Sequence, residues 1–463
     1  MAGLNKNIKA GLWYTASNFI NKGIAYLSTP IFTRLLSKEE FGEFSNFTSW
    51  ASLLLVVTSL DLYSSINRAY FDYKNDFDEY MSTISGISVS FTALCYIIMY
   101  FFKDTVTEWL KMDFKYVNML FLYLLFYPAT NFFMTQQRIM GKYKLFSAVS
   151  IGSSVFSMLL SIITVLTFSD KLWGRVVGYI IPIVMLNVVI YGFLFSKGKK
   201  IVWEKTRYAL LISIPLIPHH ISNNVLNSSD RIMINQYCGA SDTALYSLAY
   251  SCSTLVTLLH TSINQAYIPW LYKKLNEDNL EGISKQGERL LLVFLGLVLG
   301  ILLLAPEMVY VFGGEKYMVA VTVMPVVMLG CCFQYVYTLY VNLEFYCKKT
   351  ISVSIGTFIA AGVNVGLNIL LIPIYGYMAA AFTTLISYIL LYAIHFGATR
   401  KLEYRNVYNN KKILSIMSLY TLLSLGISCV YKFSWARYLI VGLYGMGFAA
   451  FLYRYQKKST HRI

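Results

Sequence analysis

The sequence predicts an all-α polytopic membrane protein of about fourteen transmembrane helices. Hydrophobic residues make up 57% of the 463 residues and charged residues only 13%, which lies outside the range of soluble domains. Apolar runs of about 20 residues, the length that crosses the hydrocarbon core, recur from Leu12 to Tyr455. Strands of a membrane barrel would be about half as long and alternating in polarity, so the pattern favours a helical bundle.

Short polar gaps separate the predicted spans. The spans cover residues 12–36, 42–66, 81–102, 116–137, 145–168, 174–195, 208–235, 243–265, 289–312, 319–343, 351–373, 377–397, 412–430 and 436–455. The apolar run from Ala10 to Leu36 follows two lysines and resembles a signal peptide, but it is too long and has no small-x-small cleavage site. We therefore predict a retained first helix.

Basic residues predict the orientation of the chain. The net charge is +16, but the Lys and Arg residues form short clusters between apolar runs instead of one soluble basic face, which argues against a nucleic-acid partner. When the Lys and Arg residues in successive gaps are assigned to alternate sides of the membrane, about 27 fall on the side of the N-terminus and about 11 on the other side, with Lys22 left inside the bilayer. Both termini are therefore predicted to be cytoplasmic, and the bias supports an even number of spans.

Two pairs of similar segments indicate an internal repeat. KLFSAVSIG (144–152) matches KKTISVSIG (348–356), and FGEFS (41–45) matches TALYS (243–247), at nearly the same offset of about 200 residues. The repeat predicts two six-helix lobes, 1–200 and 201–400, related by an axis along the membrane normal, with a C-terminal helix pair and cytoplasmic tail at 401–463. The alternative is chance similarity between apolar segments.

Charged residues at membrane depth are candidate functional groups, because each is costly unless it faces a partner or a wet cavity. These residues are Lys22, Arg34, Asp61, Asp230, Arg231, Glu307 and Glu344. Lys22 shares a polar stripe with Asn18, Asn21 and Ser28, which predicts that it lines a central cavity; the alternative is a structural ion pair with Asp61.

The acidic residues are candidates for ion coupling. Asp61, Glu307 and Glu344 have carboxylates that a proton or sodium ion can bind, although the two glutamates also fit an interfacial position. His260 and His395 are interpreted as packing residues.

The seventh span, 208–235, is unusually polar for a membrane helix. It contains SIPLIPHHISNNVLNSSDR (213–231), and so many polar groups cannot all face lipid. Pro215 and Pro218 predict a bend, unless they mark the start of the helix. No metal site is predicted, since adjacent His219 and His220 point about 100° apart and the seven cysteines show no ligand spacing.

Four segments carry a resemblance to a known family. They are PIFTRLLSKEEFGEFS (30–45), the stretch from PLIPHHIS to YSLAYS (215–251), VFGGEKYMVAVTVMPVV (311–327) and LLIPIYGYMAAAFTTLISY (370–388). Together they resemble the polysaccharide-repeat-unit (Wzx-type) flippases of the multidrug/oligosaccharidyl-lipid/polysaccharide (MOP) exporter superfamily. The likeness extends over nearly the whole chain.

The resemblance implies a V-shaped bundle of two lobes around a central cavity that works by alternating access and is not an enzyme. The implied substrate is an undecaprenyl-pyrophosphate-linked oligosaccharide, moved to the periplasmic leaflet of a bacterial or archaeal cytoplasmic membrane for O-antigen, capsule or exopolysaccharide synthesis. Polysaccharide polymerase and chain-length machinery are implied partners. No cofactor is expected beyond a coupling Na⁺ or H⁺ gradient.

The resemblance and the polar pattern together give the candidate site residues. Arg34 matches the family's arginine at the end of the first helix, Arg68 the basic residue after the second, and Asp230 with Arg231 the acidic–basic pair of the seventh. The substrate-binding candidates are Lys22, Arg34, Arg68, His219, His220, Asn224 and Arg231. Asp61 and Asp230 are the ion-coupling candidates, although Asp61 lies where many members have a small or apolar residue.

Two other functions are weighed against flipping. A drug or organic-cation antiporter of the same superfamily would need a largely acidic and apolar cavity, which the predicted cavity cations oppose. A membrane-embedded polymerase or glycosyltransferase would need a large outer loop or a nucleotide-sugar domain, and the sequence predicts neither.

Overall fold

The computed structural model describes residues 2–460, and within that range the chain forms helices and no strand. Its contacts divide it into two compact units, Met1–Ala244 and Leu245–Ile463. Residues 461–463, the end of the predicted cytoplasmic tail, lie outside the described residues. The predicted lobe boundary at residue 200 stays a prediction.

The first unit is built from ten helices and the start of an eleventh. They are α1 (Ala2–Leu35), α2 (Lys38–Thr58), α3 (Ile66–Asp72), α4 (Phe77–Phe101), α5 (Lys103–Leu110), α6 (Phe114–Ile139), α7 (Tyr143–Thr167), α8 (Lys171–Gly198), α9 (Trp203–Ser213), α10 (Ile217–Tyr237) and α11 (Ala240–Asn276). Single 3-10 turns at Leu62–Ser65 and Ile214–Leu216 precede α3 and α10.

The second unit continues from α11 and contains seven more helices. They are α12 (Glu281–Leu303), α13 (Ala305–Gly313), α14 (Met324–Tyr346), α15 (Thr350–Tyr375), α16 (Tyr377–Thr399), α17 (Asn410–Val430) and α18 (Ser434–Thr460), with a 3-10 segment at Glu315–Thr322 before α14. The packing of α14 on α16 and of α15 on α16 makes up much of this unit.

The predicted all-α membrane fold is confirmed. In the described part of the chain, nine helices are long and apolar enough to cross a membrane, or ten if the bent pair formed by Lys38–Thr58 and Leu62–Asp72 is one span. The other predicted spans are helical too, and they include α10, which carries the polar residues of the seventh span.

Four predicted spans are divided where one continuous helix was expected, the tenth because Glu315–Thr322 is a 3-10 segment before α14. The second span breaks after Thr58 and bends by 53°, because Leu60 and Asp61 adopt positive φ angles of 52° and 51° that end the α-helix. The seventh span breaks at Ile214–Leu216, next to the two prolines. The ninth breaks at Leu304, one residue before α13 begins.

Polar side chains cap the starts of α2 and α8. Ser37 and Glu40 form a capping box at the start of α2. Asp170 caps α8 by accepting a hydrogen bond from the Trp173 backbone at 2.9 Å. The same carboxylate accepts a 2.6 Å bond from Lys115 at the start of α6, so α6 and α8 begin side by side and run in the same direction.

Candidate functional site

The first unit contains a polar cavity of about 470 Å³ among α1, α6, α7 and α8. Most of its polar groups are neutral hydroxyls and amides, and its two charged groups are both arginines. They come from Asn18, Asn21, Ser28, Tyr127, Thr130, Asn131, Arg138, Ser150, Ser153, Ser154, Ser157, Arg175, Tyr179 and Asn187. Among the described residues that line this cavity there is no Asp or Glu.

Small residues bring α7 and α8 close together behind the cavity. A Cβ atom built on Gly174 would lie 2.5 Å from the Thr164 carbonyl oxygen, and one on Gly178 would lie 2.4 Å from Ser161 Cα. The Thr164 hydroxyl donates a 2.6 Å hydrogen bond to the Gly174 carbonyl. This small-xxx-small crossing fixes the first turns of α8, which carry Arg175.

Arg175 is held by aromatic rings instead of by a carboxylate. Its Cζ lies 3.6 Å from the ring centroid of Phe32 and 4.2 Å from that of Phe44. Its buried Nε has no hydrogen-bond partner, and none of the ion pairs in the described residues involves it. A desolvated guanidinium stacked in this way keeps donors for an incoming anion.

Arg138 supplies the second positive charge at the opposite end of the cavity. It lies in the last turn of α6, whereas Arg175 lies in the first turns of α8. Because α6 and α8 run in parallel, the helical rise places the two guanidinium-bearing residues about 27 Å apart along the bundle. The cavity therefore offers cationic groups at both of its ends, with hydroxyl and amide groups between them.

Hydrogen bonds across the helices hold the cavity walls in place. Asn21 donates to the Ser150 hydroxyl at 2.5 Å, and Thr130 donates to the Asn187 side-chain carbonyl at 2.8 Å. The buried Asn21 Oδ1 has no hydrogen-bond partner and remains an acceptor for a ligand hydroxyl.

Asp61 lies in the break after α2 and pairs with α10. Its side chain is fully buried; its Oδ2 accepts a 2.6 Å bond from the Ser64 hydroxyl and lies 3.6 Å from Nε2 of His220. Its Oδ1 has no hydrogen-bond partner. The alternative of an ion pair between Asp61 and Lys22 is therefore wrong. Asp61 contacts His220 of the seventh span instead, because α10 packs along α2.

The other candidates on α10 do not line the cavity. His219 Nε2 lies 3.2 Å from the Asn223 amide nitrogen, and Asn224 donates to the His220 carbonyl at 3.2 Å. Asp230 is buried and Arg231 is half-buried. Helix α10 thus carries many polar side chains, as the sequence indicated.

The remaining cationic candidates are exposed. Lys22 follows Asn21 on α1 but is not part of the cavity lining, although Asn18, Asn21 and Ser28 of its predicted stripe are. Arg34 donates to the Pro30 carbonyl at 2.8 Å. Arg68 pairs with Asp72 at 2.9 Å, and its side chain is 74% exposed.

Sequence reasoning did not select Arg175, the second residue of the predicted span 174–195. Two signals were present in the sequence. Gly174 and Gly178 form a GxxxG spacing around the arginine, which marks a close helix contact. Serines at helical spacing on α7, from Ser147 to Ser161, mark a polar face that cannot point at lipid.

The fold of the chain is shared with solved membrane transporters. The chain is similar to the lipid II flippase MurJ in an inward closed conformation, with a TM-score of 0.71 and 14% identity over 96% of this chain and 99% of that one. It is also similar to an inward-facing multidrug resistance MATE family transporter of the MOP superfamily, with a TM-score of 0.58 and 13% identity over 91% and 96% of the two chains.

Sequence comparison identifies the family. An uncharacterized membrane protein of Methanocaldococcus jannaschii is 21% identical over 450 residues, 90% of this chain and 88% of that protein. The family model described as polysaccharide biosynthesis protein matches residues 8–274, more than half of the chain. The chain belongs to this family, and the predicted MOP-superfamily resemblance is confirmed.

Proposed function

We propose that the protein flips an undecaprenyl-pyrophosphate-linked oligosaccharide repeat unit from the cytoplasmic to the periplasmic leaflet by alternating access. The cavity with two arginines, many hydroxyls and amides, and no lining carboxylate is the observation that carries this proposal. The family's description as polysaccharide biosynthesis protein and the similarity to a lipid II flippase support it. The product would serve O-antigen, capsule or exopolysaccharide synthesis.

The chemistry of the cavity suits both parts of such a substrate. Guanidinium groups bind the two negatively charged phosphates through charge-assisted, bidentate hydrogen bonds. Serine, threonine and asparagine side chains donate to and accept from sugar hydroxyls, while the rings of Tyr127 and Tyr179 pack against sugar C–H groups. An organic cation would meet two like charges here, which disfavours the drug antiporter.

Reconstituted transport is the direct test of the proposed function. The purified chain is placed in proteoliposomes that carry a fluorescent lipid-linked oligosaccharide in both leaflets, and an impermeant quencher is added outside. We expect the protein to expose the inner-leaflet population to the quencher. Efflux of a fluorescent organic cation without lipid flipping would support the antiporter, and lengthening of the oligosaccharide would support a polymerase.

Lys22→Ala is expected to abolish complementation of a flippase-deficient strain at normal protein levels. Lys22 lies outside the cavity lining, but it is an exposed ammonium in the middle of a predicted membrane helix, a position that requires an anionic or hydrated environment. We propose that it contacts the pyrophosphate. Polymer at the cell surface is measured alongside immunoblots of the membrane fraction. Lys9→Ala, which removes an exposed lysine near the start of the same helix, is the control. Full complementation by Lys22→Ala would contradict the assignment.

The same proposal covers orientation, ion coupling and partners. Both termini would be cytoplasmic, as the distribution of Lys and Arg predicts. Asp61 and Asp230 stay predicted ion-coupling residues for a Na⁺ or H⁺ gradient, and Asp61 has a free carboxylate oxygen in a buried position that fits this role. Polysaccharide polymerase and chain-length machinery are the proposed partners, with no enzymatic step in this chain.

A further inference from the structure

The second unit contains a carboxylate–imidazole pair that is completely buried. Glu344 on α14 and His395 on α16 are joined by a 2.6 Å contact between Oε1 and Nδ1. Their side chains are 1% and 0% exposed. The interpretation of His395 as a packing residue is therefore incomplete, because the close packing of α14 on α16 encloses both groups.

The pair is not saturated by hydrogen bonds. Glu344 Oε2 and His395 Nε2 are both buried, and neither has a hydrogen-bond partner. The other ion pairs of this unit in the described residues, such as Lys412 with Glu288 and Arg437 with Glu307, keep one side chain at least partly exposed. A pair with a purely structural role would be more stable if Glu344 Oε2 and His395 Nε2 had hydrogen-bond partners. The lack of partners for these two atoms therefore calls for another explanation.

Few other charges face the pair. From α14, the Tyr337 ring stacks on His395 at 5.8 Å. Cys347, just after α14, lies within electrostatic range of Glu344 and also of Lys349 and Glu403. Helices α12 and α17 also pack on α14, and there Glu288 and Lys412 pair with each other at 2.5 Å.

Helix α15 places a glycine next to the outer nitrogen of the imidazole. Gly356 faces the ring: a Cβ atom at this position would lie 3.0 Å from His395 Cε1 and 3.1 Å from Nε2. The sequence of α15 contains no Asp, Glu, Lys, Arg or His. The neighbour of Nε2 is therefore a glycine backbone on a helix without charge.

The protonation states of such a pair have different net charges. With a neutral imidazole that donates Nδ1–H to the carboxylate, the pair carries one negative charge, and no other ion pair in the described residues involves Glu344. When a proton binds Nε2, the imidazole becomes imidazolium and the pair becomes neutral overall. A buried site of low polarity favours the neutral pair, so proton binding at this one atom removes a buried charge.

We propose that Glu344 and His395 form a proton-binding site that couples substrate movement to a proton gradient. The coupling step rests on the proposed flippase function, whereas proton binding itself does not. One proton from water binds His395 Nε2, and its release leaves the pair with one negative charge again. Both residues lie near the C-terminal ends of their helices, which the predicted orientation places toward the cytoplasm.

Nitrogen NMR tests proton binding without any transport assay. The chain has five histidines, so protein labelled with ¹⁵N-histidine and embedded in lipid gives few signals, and His395→Gln assigns the one of interest. Spectra are recorded on samples from about pH 8 to about pH 5, and we expect the Nε2 signal of His395 to change from neutral to protonated. Glu344→Gln should shift the midpoint. A His395 signal that does not change over this range would overturn the proposal.

Gradient-driven flipping tests the coupling. An imposed pH gradient should accelerate flipping of the fluorescent lipid-linked oligosaccharide several-fold in wild type but not in Glu344→Gln or His395→Gln. His260→Gln is the matched control, because His260 lies against the rings of Phe294 and Tyr335 in the same unit. Equal acceleration of wild type and both pair variants would also overturn the proposal.

A glycine pair separates this role from a folding defect. Gly356→Ala should change the His395 signal, because its new methyl group contacts the imidazole ring. Gly152→Ala, at the matching position of the predicted repeat, is the control. A Cβ atom there has nothing within 4 Å, so the His395 signal should stay the same. If Glu344→Gln and His395→Gln both fail to fold, the comparison of Gly356→Ala with Gly152→Ala still tests proton binding at His395. If His395 binds a proton but the protein flips no lipid, the proposed flippase function is refuted and the proton site is not. If the protein flips lipid but His395 binds no proton, only the proton site is refuted.

Discussion

Arg175→Gln is expected to slow flipping of a lipid-linked oligosaccharide by about 10- to 100-fold, since a hydrogen bond to a charged group contributes about 1.5–3 kcal/mol. The variant should still fold. No carboxylate among the described residues pairs with Arg175, so its removal leaves no buried charge unpaired, and the lost ring contacts contribute only about 0.5–2 kcal/mol. Rates are measured in proteoliposomes with equal amounts of protein.

Two further variants distinguish charge from geometry at this position. Arg175→Lys keeps the positive charge but loses the planar fork that stacks between Phe32 and Phe44, so an intermediate rate is expected. Arg400→Gln makes the same substitution at an exposed arginine that also lies over an aromatic ring, at 5.7 Å from Phe396, and should leave the rate unchanged. Wild-type flipping by Arg175→Gln would show that the cavity does not hold the pyrophosphate.

The positions of the membrane helices were predictable because the length of each apolar stretch is enough to identify a span. The stretches 143–167 and 350–375 are long and mainly apolar, and the predicted spans there agree with α7 and α15 to within a few residues. The break at Leu60 and Asp61 was not predictable in the same way. Neither residue is glycine, and their positive φ angles depend on tertiary contacts such as that between Asp61 and His220.

The candidate site was predictable only in part, because side chains from distant positions form it. The polar stripe of Asn18, Asn21 and Ser28 was visible in one helix and does line the cavity. Arg175, close to the end of a span, was indistinguishable from an interfacial cation. Glu344 and His395 are 51 residues apart, so their contact depends on how α14 and α16 pack.

Gly178→Ala is expected to destabilise the first unit by about 1–3 kcal/mol or more, the usual effect of overpacking. The new Cβ atom would lie 2.4 Å from Ser161 Cα and 2.7 Å from its backbone nitrogen, and no rotamer change can move these atoms. Helices α7 and α8 must separate, which weakens the bond from Thr164 to the Gly174 carbonyl and displaces Arg175. Thermal unfolding in detergent and flipping rate should both fall.

Gly192→Ala provides the matched control on the same helix. A Cβ atom at Gly192 has nothing within 4 Å, so the substitution adds no clash. Because alanine is the better helix former by up to about 1 kcal/mol, the melting temperature should stay the same or rise slightly. Equal melting temperatures for Gly178→Ala and wild type would mean that α7 and α8 can separate without cost. The glycines would then not be what positions Arg175, and its place in the cavity would have to depend on Phe32 and Phe44 alone.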